Sequence, residues 1–206
     1  MIAVLLFILL FFCGAIPFSY LLGRFVLHKD IRDYGDGNPG AANAWKAGGA
    51  VVGLAAVLLD VSKGLIPILL VLSLFDIEGI ALAFLAVAPV CGHAFSPFLH
   101  FRGGKAVAVT YGVWLALTGL AGPLAMGLTS AIFVLIQSVD AWTVMAGMAG
   151  LFTYLLYTEA EQPYLLTCIL NSALVFLKHR QDLKGFIKLR PQFAAMLRRD
   201  GHGTSS

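Results

Sequence analysis

Long apolar runs alternate with short polar or glycine-rich stretches along the chain. Backbone inside lipid must satisfy its own hydrogen bonds, so apolar runs of about 20 residues predict membrane-spanning helices. We therefore expect an all-α, polytopic integral membrane protein that forms a single domain over residues 1–206. The predicted spans are seven: Ile2–Leu22, Gly49–Leu74, Gly79–Ser96, Lys105–Leu120, Gly122–Val139, Ala141–Tyr157 and Pro163–Leu177.

Composition supports this assignment. The chain is 59% hydrophobic and only 12% charged, whereas soluble domains average about 45–50% apolar and about 25% charged residues. The first apolar run has no preceding cation and no small-residue cleavage site, so we expect a retained helix rather than a signal peptide. A different division of residues 122–157 around "QSVDAW" stays open.

The positive charges predict the orientation. Of the 14 lysine and arginine residues, all except Lys63 fall between spans one and two, between spans three and four, or after span seven. By the positive-inside rule these stretches face the cytoplasm, which places the N-terminus outside and the C-terminus inside. The predicted cytoplasmic parts are the loops 23–48 and 97–104 and the basic tail 178–206.

A glycine-rich stretch, "YGDGNPGAANAWKAGG", lies in the first of these loops. Glycine permits positive φ angles and close backbone approach, and successive amides in such turns form a concavity that binds anions. The following helix N-terminus adds its dipole. A flexible linker is the alternative, but two asparagines and a tryptophan are unusual in a linker. The candidate residues are Gly35, Asp36, Gly37, Asn38, Gly40, Asn43 and Lys46.

The second loop carries a smaller version of this pattern, "FRGGKAVAV". Gly103 and Gly104 would let backbone amides reach a phosphate, while Arg102 and Lys105 supply charge. The nucleotide-binding P-loop pattern is absent, because the spaced preceding glycine and the strand are missing. An ordinary solvated turn carrying topogenic charge is the alternative interpretation.

Two charged residues lie inside the second span. Asp60 and Lys63 are three positions apart and share one helix face. Ionisable residues within a span are costly and suggest a functional site, although a mutually neutralising structural pair is the alternative. His93 is a candidate polar contact, but no third ligand accompanies it and His100, so no metal site is expected. Three cysteines in apolar runs predict free thiols.

The tail begins "KHRQDLKG" and continues as a basic, partly amphipathic segment. Beyond Gly185 a helix lying along anionic headgroups accounts for the pattern. His179 and Arg180, next to the last span, are further candidates for phosphate binding.

Five stretches of the chain, taken in order, resemble motifs of the bacterial acyl-phosphate:glycerol-3-phosphate acyltransferases. They are "GAIPFSYLLGR", "DIRDYGDGNPGAANAWK", "DVSKGLIPI", "GHAFSPFLHFRGGKAVAV" and "KHRQDLK". The resemblance implies transfer of a fatty acyl group from acyl phosphate to the 1-hydroxyl of glycerol 3-phosphate, giving lysophosphatidic acid. It implies a multi-pass protein of the bacterial cytoplasmic membrane, with no metal, no cofactor and no acyl-CoA. The expected partners are the two substrates and membrane lipid, with no nucleic acid; the sequence makes no prediction of oligomeric state.

The resemblance also shows departures. Lys46 stands where the family prefers arginine. The others are Asp36 for serine, Ala42 for threonine, Ala106 for glycine, Gln137 for arginine, Asp140 for serine and Asp182 for asparagine. Four of these make the local charge more negative, which opposes binding of two phosphates. Either the aspartates pair with cations or point away, or the acceptor differs or the activity is lost.

For the mechanism, we expect Lys105, Lys63 and the loop amides to hold phosphate oxygens. Asn38, Asn43 and His93 would orient the acceptor hydroxyl, and the donor's own phosphate would take its proton; a base role for His93 or His179 is the alternative. A transporter of a phosphorylated anion is the rival class. The almost wholly apolar opposite half of the spans argues against it.

A second rival uses acyl thioesters. His28 and Asp33 match the H-x-x-x-x-D pattern of glycerolipid acyltransferases that take acyl thioesters. In those enzymes the pattern lies on a soluble domain, which this chain lacks. The match therefore carries little weight.

Overall fold

The computed structural model describes residues 1–185 and 188–190, and this part of the chain is helical, as the sequence predicts. Short 3-10 turns at Ile31–Asp33 and Pro97–Leu99 lie between longer helices, and a third, Asp182–Lys184, follows the last one. The α-helices are α1 (Ile2–Ala15), α2 (Phe18–Phe25), α3 (Ala41–Leu74), α4 (Gly79–Ala94), α5 (Val107–Thr118), α6 (Ala121–Ile136), α7 (Asp140–Tyr157) and α8 (Gln162–His179).

The predicted first span is two helices rather than one. α1 ends at Ala15, Ile16 is extended with ψ 119°, and α2 begins at Phe18. Pro17 lies at the break, and proline lacks the backbone N–H that a continuous helix would use. The break leaves the Ile16 carbonyl available to a side chain.

α3 is longer than the predicted second span. It begins at Ala41, so the predicted loop 23–48 shrinks at this end, and also at its start because α2 continues to Phe25. The predicted boundary at Gly49 is a kink inside α3, where φ is 76° and ψ is −170°. Glycine adopts this conformation without the steric cost that a Cβ atom would bring.

The remaining boundaries differ by a few residues. α5 begins at Val107 rather than Lys105, because Ala106 is left-handed with φ 64°. α6 and α7 are separate helices, as predicted. α8 continues to His179, so the predicted tail 178–206 starts inside a helix. Residues 186–187 and 191–206 of that tail lie outside the described part.

Glycines let two helix pairs pack closely. α1 packs on α4, where a Cβ at Gly92 would meet the Phe11 carbonyl; α3 packs on α5, where a Cβ at Gly112 would meet the Val61 carbonyl. Small residues at such crossings are typical of helices in lipid, where association depends on close packing. These two pairs position the polar side chains described below.

Large apolar side chains cover much of the outer surface, including Leu9, Leu58, Leu128 and Phe176. By length and composition, three segments of the described chain are long and apolar enough to cross a bilayer: Ile2–Phe25, Ala41–Leu74 and Gly79–Leu99. α5 and α6 are shorter apolar helices. The count of seven spans and their orientation stay predictions.

Candidate active site

A cavity of about 910 Å³ lies between α3, α5, the start of α7 and the end of α8. Its volume is in the range of small-molecule sites. The glycine-rich stretch, the Gly-Gly-Lys turn and the segment after α8 all contribute to its wall, although they are far apart in sequence. Its polar lining consists of Asp36, Asn38, Asn43, Lys46, Asp60, His93, Lys105, Asp140, His179 and Asp182.

Lys105 joins the three stretches through an ion triad with Asp36 and Asp182. Its Nζ lies 2.6 Å from Asp36 Oδ2 and 2.6 Å from Asp182 Oδ2. The two aspartates are 69 and 77 residues away from Lys105 in sequence. The side chains stay partly open to the cavity, with Lys105 26% exposed and the carboxylates 44% and 41%.

The triad shifts the pKa values of two of its members. Burial acts to raise the pKa of Asp36, but hydrogen bonds from Lys105, the Asn38 amide and Asn43 outweigh it and lower the pKa below its ordinary value. Burial acts to lower the pKa of Lys105, and the bonds to Asp182 and Asp36 outweigh it and raise the pKa. Both groups are therefore charged around neutral pH.

Asp36 also organises the glycine-rich stretch. Its Oδ1 accepts hydrogen bonds from the Asn38 backbone N–H at 3.1 Å and from Asn43 Nδ2 at 3.0 Å. Gly35 has φ 59°, and a Cβ there would collide with the Asn43 side chain and crowd Lys46 Nζ. Asn43 is buried, and its Oδ1 has no hydrogen-bond partner among the described residues.

Lys63, the second lysine that the sequence predicts to hold phosphate, lies in a buried hydrogen-bond network on α3. Lys63 Nζ lies 2.7 Å from Asp60 Oδ1 and donates to the Ile16 carbonyl at 2.8 Å. Ser19 Oγ donates to Asp60 Oδ2 at 2.6 Å. Asp60 lines the cavity but Lys63 does not. The structure thus favours the neutralising pair over the expected phosphate contact, because the ammonium is directed to the break between α1 and α2.

His93 is held by the Gly-Gly-Lys turn. The Gly104 N–H donates to the His93 carbonyl at 3.1 Å. A Cβ at Gly103 would collide with the His93 carbonyl, and one at Gly104 with the imidazole ring. The His93 Nδ1 lies 3.9 Å from Asp60 Oδ1, which is too long for a hydrogen bond. These two glycines thus pack against a cavity residue instead of lining the main cavity themselves.

The end of α8 contributes one expected and one unexpected residue. His179 is buried in the cavity wall, with its Nδ1 2.8 Å from the Val175 carbonyl. Lys178 Nζ donates to the carbonyls of Ala94 at 2.8 Å and Gly103 at 3.0 Å. Lys178 therefore connects α8 to the Gly-Gly-Lys turn. The sequence did not indicate this role, because Lys178 is one of many cations that the positive-inside rule already explains.

Other candidates lie away from the cavity lining. Arg102 and Arg180 are exposed and do not line the cavity, and neither do Gly35 and Gly37, whereas Gly40 does. Phosphate binding by Arg102 and Arg180 therefore stays a prediction that the arrangement does not favour.

Of the departures near α7, Gln137 is buried and bonds to Thr143 and the Val139 carbonyl, outside the lining. Asp140, by contrast, lines the cavity at the first residue of α7. The carboxylate at a helix N-terminus is favoured by the helix dipole. Of these two changes, only Asp140 therefore adds charge to the cavity wall.

The rest of the cavity is apolar. It extends along α5 toward the turn between α5 and α6 and includes Tyr111, which the sequence did not single out because tyrosine is common in apolar spans. The apolar lining includes Val57, Val61, Val107, Ala108, Tyr111, Leu115, Leu120, Pro123 and Val139. We name Tyr111, Leu115, Leu120 and Pro123, which lie farther along α5 from Lys105 and at the turn into α6, the apolar arm. One cavity thus joins a charged end to a lipid-like one.

Comparison with known proteins agrees with this arrangement. The profile of the family described as "Glycerol-3-phosphate acyltransferase" matches residues 4–189. A relative of that name from Thermotoga maritima is 35% identical over 192 residues, covering 86% of this chain and 94% of the relative. Another from Anaeromyxobacter dehalogenans is 36% identical over 190 residues, with coverage of 86% and 90%.

Solved structures show the same fold. The crystal structure of PlsY, an integral membrane glycerol 3-phosphate acyltransferase, in its glycerol 3-phosphate form has a TM-score of 0.81 and 28% identity, covering 95% of this chain and 99% of that one. Its lysophosphatidic acid form has a TM-score of 0.79 and 27% identity, covering 89% of this chain and 91% of that one. This chain therefore belongs to the glycerol-3-phosphate acyltransferase family and is a multi-pass integral membrane protein.

Proposed function

We propose that this protein transfers a fatty acyl group from acyl phosphate to the 1-hydroxyl of glycerol 3-phosphate, giving lysophosphatidic acid for phospholipid synthesis. The observation that supports this most directly is the continuity of the cavity, which places Lys105 and the glycine-rich stretch at one end and the apolar arm at the other. A substrate with a phosphoryl head and an acyl tail matches both ends. The names of the family and of its relatives support the coarser part of this proposal, acylation of glycerol 3-phosphate.

The phosphate oxygens are held by Lys105, Lys46 and the amides of the glycine-rich stretch. Lys46 lines the cavity and forms no ion pair with a carboxylate in the described part of the chain. Its ammonium can therefore bind a phosphate oxygen without first leaving a carboxylate of the protein. Lys63 acts differently from the sequence-based expectation, since it holds Asp60 in place beside the cavity instead of contacting phosphate.

The acceptor hydroxyl is oriented by Asn43 and His93, with Asn38 beside them. The buried Asn43 Oδ1 has an unfilled hydrogen-bonding capacity within the described residues, and leaving a buried acceptor unpaired costs about 1–3 kcal/mol. A hydroxyl donor placed there removes that cost. His93 lies in the same wall, fixed by Gly103 and Gly104.

The chemistry needs no protein nucleophile, because an acyl phosphate is already an activated mixed anhydride. The hydroxyl oxygen forms the new ester bond to the carbonyl carbon, the bond from that carbon to the phosphate oxygen breaks, and the hydroxyl proton leaves with the departing phosphate. Fixing the two reactants together supplies about 7–11 kcal/mol of the barrier reduction. Lys105 and the amides stabilise the charge on the leaving phosphate.

The pairing of Asp36 and Asp182 with Lys105 bears on the choice of acceptor. Both carboxylates are departures that would repel phosphate if they were unpaired, and the single ammonium between them balances one of the two negative charges. This partial pairing is compatible with the family's ordinary acceptor once one carboxylate leaves the ammonium. Asp140 adds a further negative charge to the cavity wall.

The test is formation of lysophosphatidic acid from glycerol 3-phosphate by the purified protein, given acyl phosphate or, in a parallel reaction, acyl-CoA. We expect this product with acyl phosphate only, together with release of inorganic phosphate, and we expect Lys105→Met to lower kcat/KM by about 10²-fold or more. Arg24→Met removes an exposed cation of α2 that is absent from the cavity lining and serves as the matched control.

Acyl transfer from acyl-CoA without use of acyl phosphate would contradict the proposal and support the H-x-x-x-x-D interpretation. Movement of glycerol 3-phosphate across liposomes without acyl transfer would instead support the transporter. Equal losses in Lys105→Met and Arg24→Met would show that net charge matters, not the position of Lys105.

A further inference from the structure

The ion triad contains more negative than positive charge. An ammonium has three N–H donors, and in the triad two of them are directed to Asp36 Oδ2 and Asp182 Oδ2, each at 2.6 Å. A phosphate oxygen approaching Lys105 therefore meets one remaining donor and two carboxylates. The local balance opposes a dianion as long as both carboxylates stay in contact.

The two carboxylates are not held equally. Asp36 Oδ1 accepts from the Asn38 amide and from Asn43 Nδ2, which fixes the side chain to the glycine-rich stretch. In the described part of the chain, the Asp182 carboxylate bonds to Lys105 alone. Asp182 also begins the short turn Asp182–Lys184 after α8, and its side chain is 41% exposed. Of the two, Asp182 is the carboxylate that can leave with the smaller loss.

We propose that the Asp182 carboxylate competes with phosphate oxygens for the Lys105 ammonium. This internal competition sets the affinity of the site for anions. The inference rests on the proposed role of Lys105 as a phosphate ligand. Phosphate binding displaces Asp182 into solvent, while Asp36 remains with the glycine-rich stretch. Asp182 thus weakens phosphate binding. Because inorganic phosphate is a product of the reaction, this weaker binding eases product release.

The displacement also has a mechanical consequence. Asp182 follows α8 directly, whereas Lys105 precedes α5. Loss of the Asp182 contact removes one link between these two elements, while Lys178 retains another through its bonds to Ala94 and Gly103. The cavity wall therefore loses its contact at Asp182 and keeps the one at Lys178.

The test is direct binding of inorganic phosphate to the purified full-length protein in detergent, measured by isothermal titration calorimetry in low salt and without acyl donor. We expect Asp182→Asn to lower the phosphate Kd about two- to fivefold, as the strength of a partly exposed ion pair suggests. Asp36→Asn should give a smaller gain, because it also disturbs Asn43. The gain should shrink at high ionic strength, where exposed charges are screened.

Asp33→Asn is the matched control, since it makes the same charge change at an exposed position outside the cavity lining. Tighter binding in Asp182→Asn with no change in Asp33→Asn supports the proposal. Equal or weaker binding in Asp182→Asn overturns it, and an equal gain in Asp33→Asn overturns it too, since net charge would then suffice.

Acyl-transfer assays on the same variants separate this inference from the proposed function. If Asp182→Asn binds phosphate more tightly but the protein transfers no acyl group, the competition by Asp182 is supported and the proposed function is contradicted. If the protein transfers acyl groups but Asp182→Asn leaves its phosphate affinity unchanged, the proposed function is supported and the competition by Asp182 is contradicted. In an active protein, Asp182→Asn should also lower the KM for glycerol 3-phosphate.

Discussion

Lys63 and Lys105 show how surroundings decide what a lysine does. Both carry the same charge, and the sequence predicts that both hold phosphate. The Lys63 side chain is 3% exposed and is bound by Asp60 and the Ile16 carbonyl, whereas Lys105 is 26% exposed between carboxylates from two other parts of the chain. Each ammonium has two partners, but the buried one is closed off from a substrate, whereas the accessible one can exchange a carboxylate for a phosphate oxygen.

We predict that Lys63→Met destabilises the protein more than it weakens glycerol 3-phosphate binding. Removing one partner leaves Asp60 as an uncompensated buried charge, which costs about 3–5 kcal/mol. The apparent melting temperature in detergent should fall clearly, while the KM of the folded fraction changes little.

The double variant Asp60→Asn/Lys63→Met is the control, because it removes both charges and should regain much of the lost melting temperature. An unchanged melting temperature together with a strongly raised KM in Lys63→Met would instead restore this lysine as a phosphate ligand.

The segment after α8 acts as a connector between helices. The Trp142 indole N–H at the start of α7 donates to the Gly185 carbonyl at 3.0 Å. Further along, the Ser138 N–H donates to the Lys188 carbonyl at 2.9 Å, and the Arg190 N–H to the Ile136 carbonyl at 2.9 Å. These bonds attach the segment to the connection between α6 and α7. The same segment begins at Asp182, so the attachment helps to position the ion triad.

We predict that Trp142→Phe exposes this segment to protease. It keeps an aromatic ring but removes one hydrogen bond, worth about 1 kcal/mol, so local opening should increase about fivefold. The measurement is the rate of trypsin cleavage after Lys184 or Lys188, followed by mass spectrometry under native conditions. Trp45→Phe, at a half-exposed position on α3, is the control and should leave the rate unchanged. An equal rate in both variants would show that the Trp142 bond does not hold the segment.

Taken together, the helices gather the charged stretches at one end of the bundle and leave apolar surface around the rest. Lys105, Asp36 and Asp182 meet there although other helices separate them along the chain. Such one-sided charge is what a reaction at a membrane surface requires, with the acyl tail in lipid and the phosphoryl head near water. A pore would need polar side chains through the full depth.

We predict that the Gly-Gly-Lys turn and the segment after α8 are accessible from the same side of the membrane. Arg102→Cys and Lys184→Cys lie at exposed positions and should react with an impermeant maleimide only in inside-out vesicles. Glu161→Cys, before α8, should react only from the other side. The unsubstituted protein controls for the native thiols. Labelling of the first two positions from opposite sides would remove the basis for the proposed site.

Much of this architecture is predictable from the sequence because its causes are local. Apolar run length indicates the helices, the lysine and arginine positions indicate a common face, and the glycines around Asn38 and before Lys105 indicate turns between the helices. The predicted boundaries fail where a single residue alters the backbone. Pro17 breaks the first helix, and Ala106 adopts a left-handed conformation that delays α5 to Val107.

The partners of the charged side chains depended on packing. Hydropathy and spacing are properties of neighbouring residues, whereas the contacts of Lys105 join it to residues 69 and 77 positions away. Lys63 likewise bonds to Ile16, 47 residues away. Which lysine faces the cavity, and which carboxylate neutralises which cation, follows from how closely the helices approach, and this is why the class of protein and its charged face could be inferred from the chain alone while the ion triad could not.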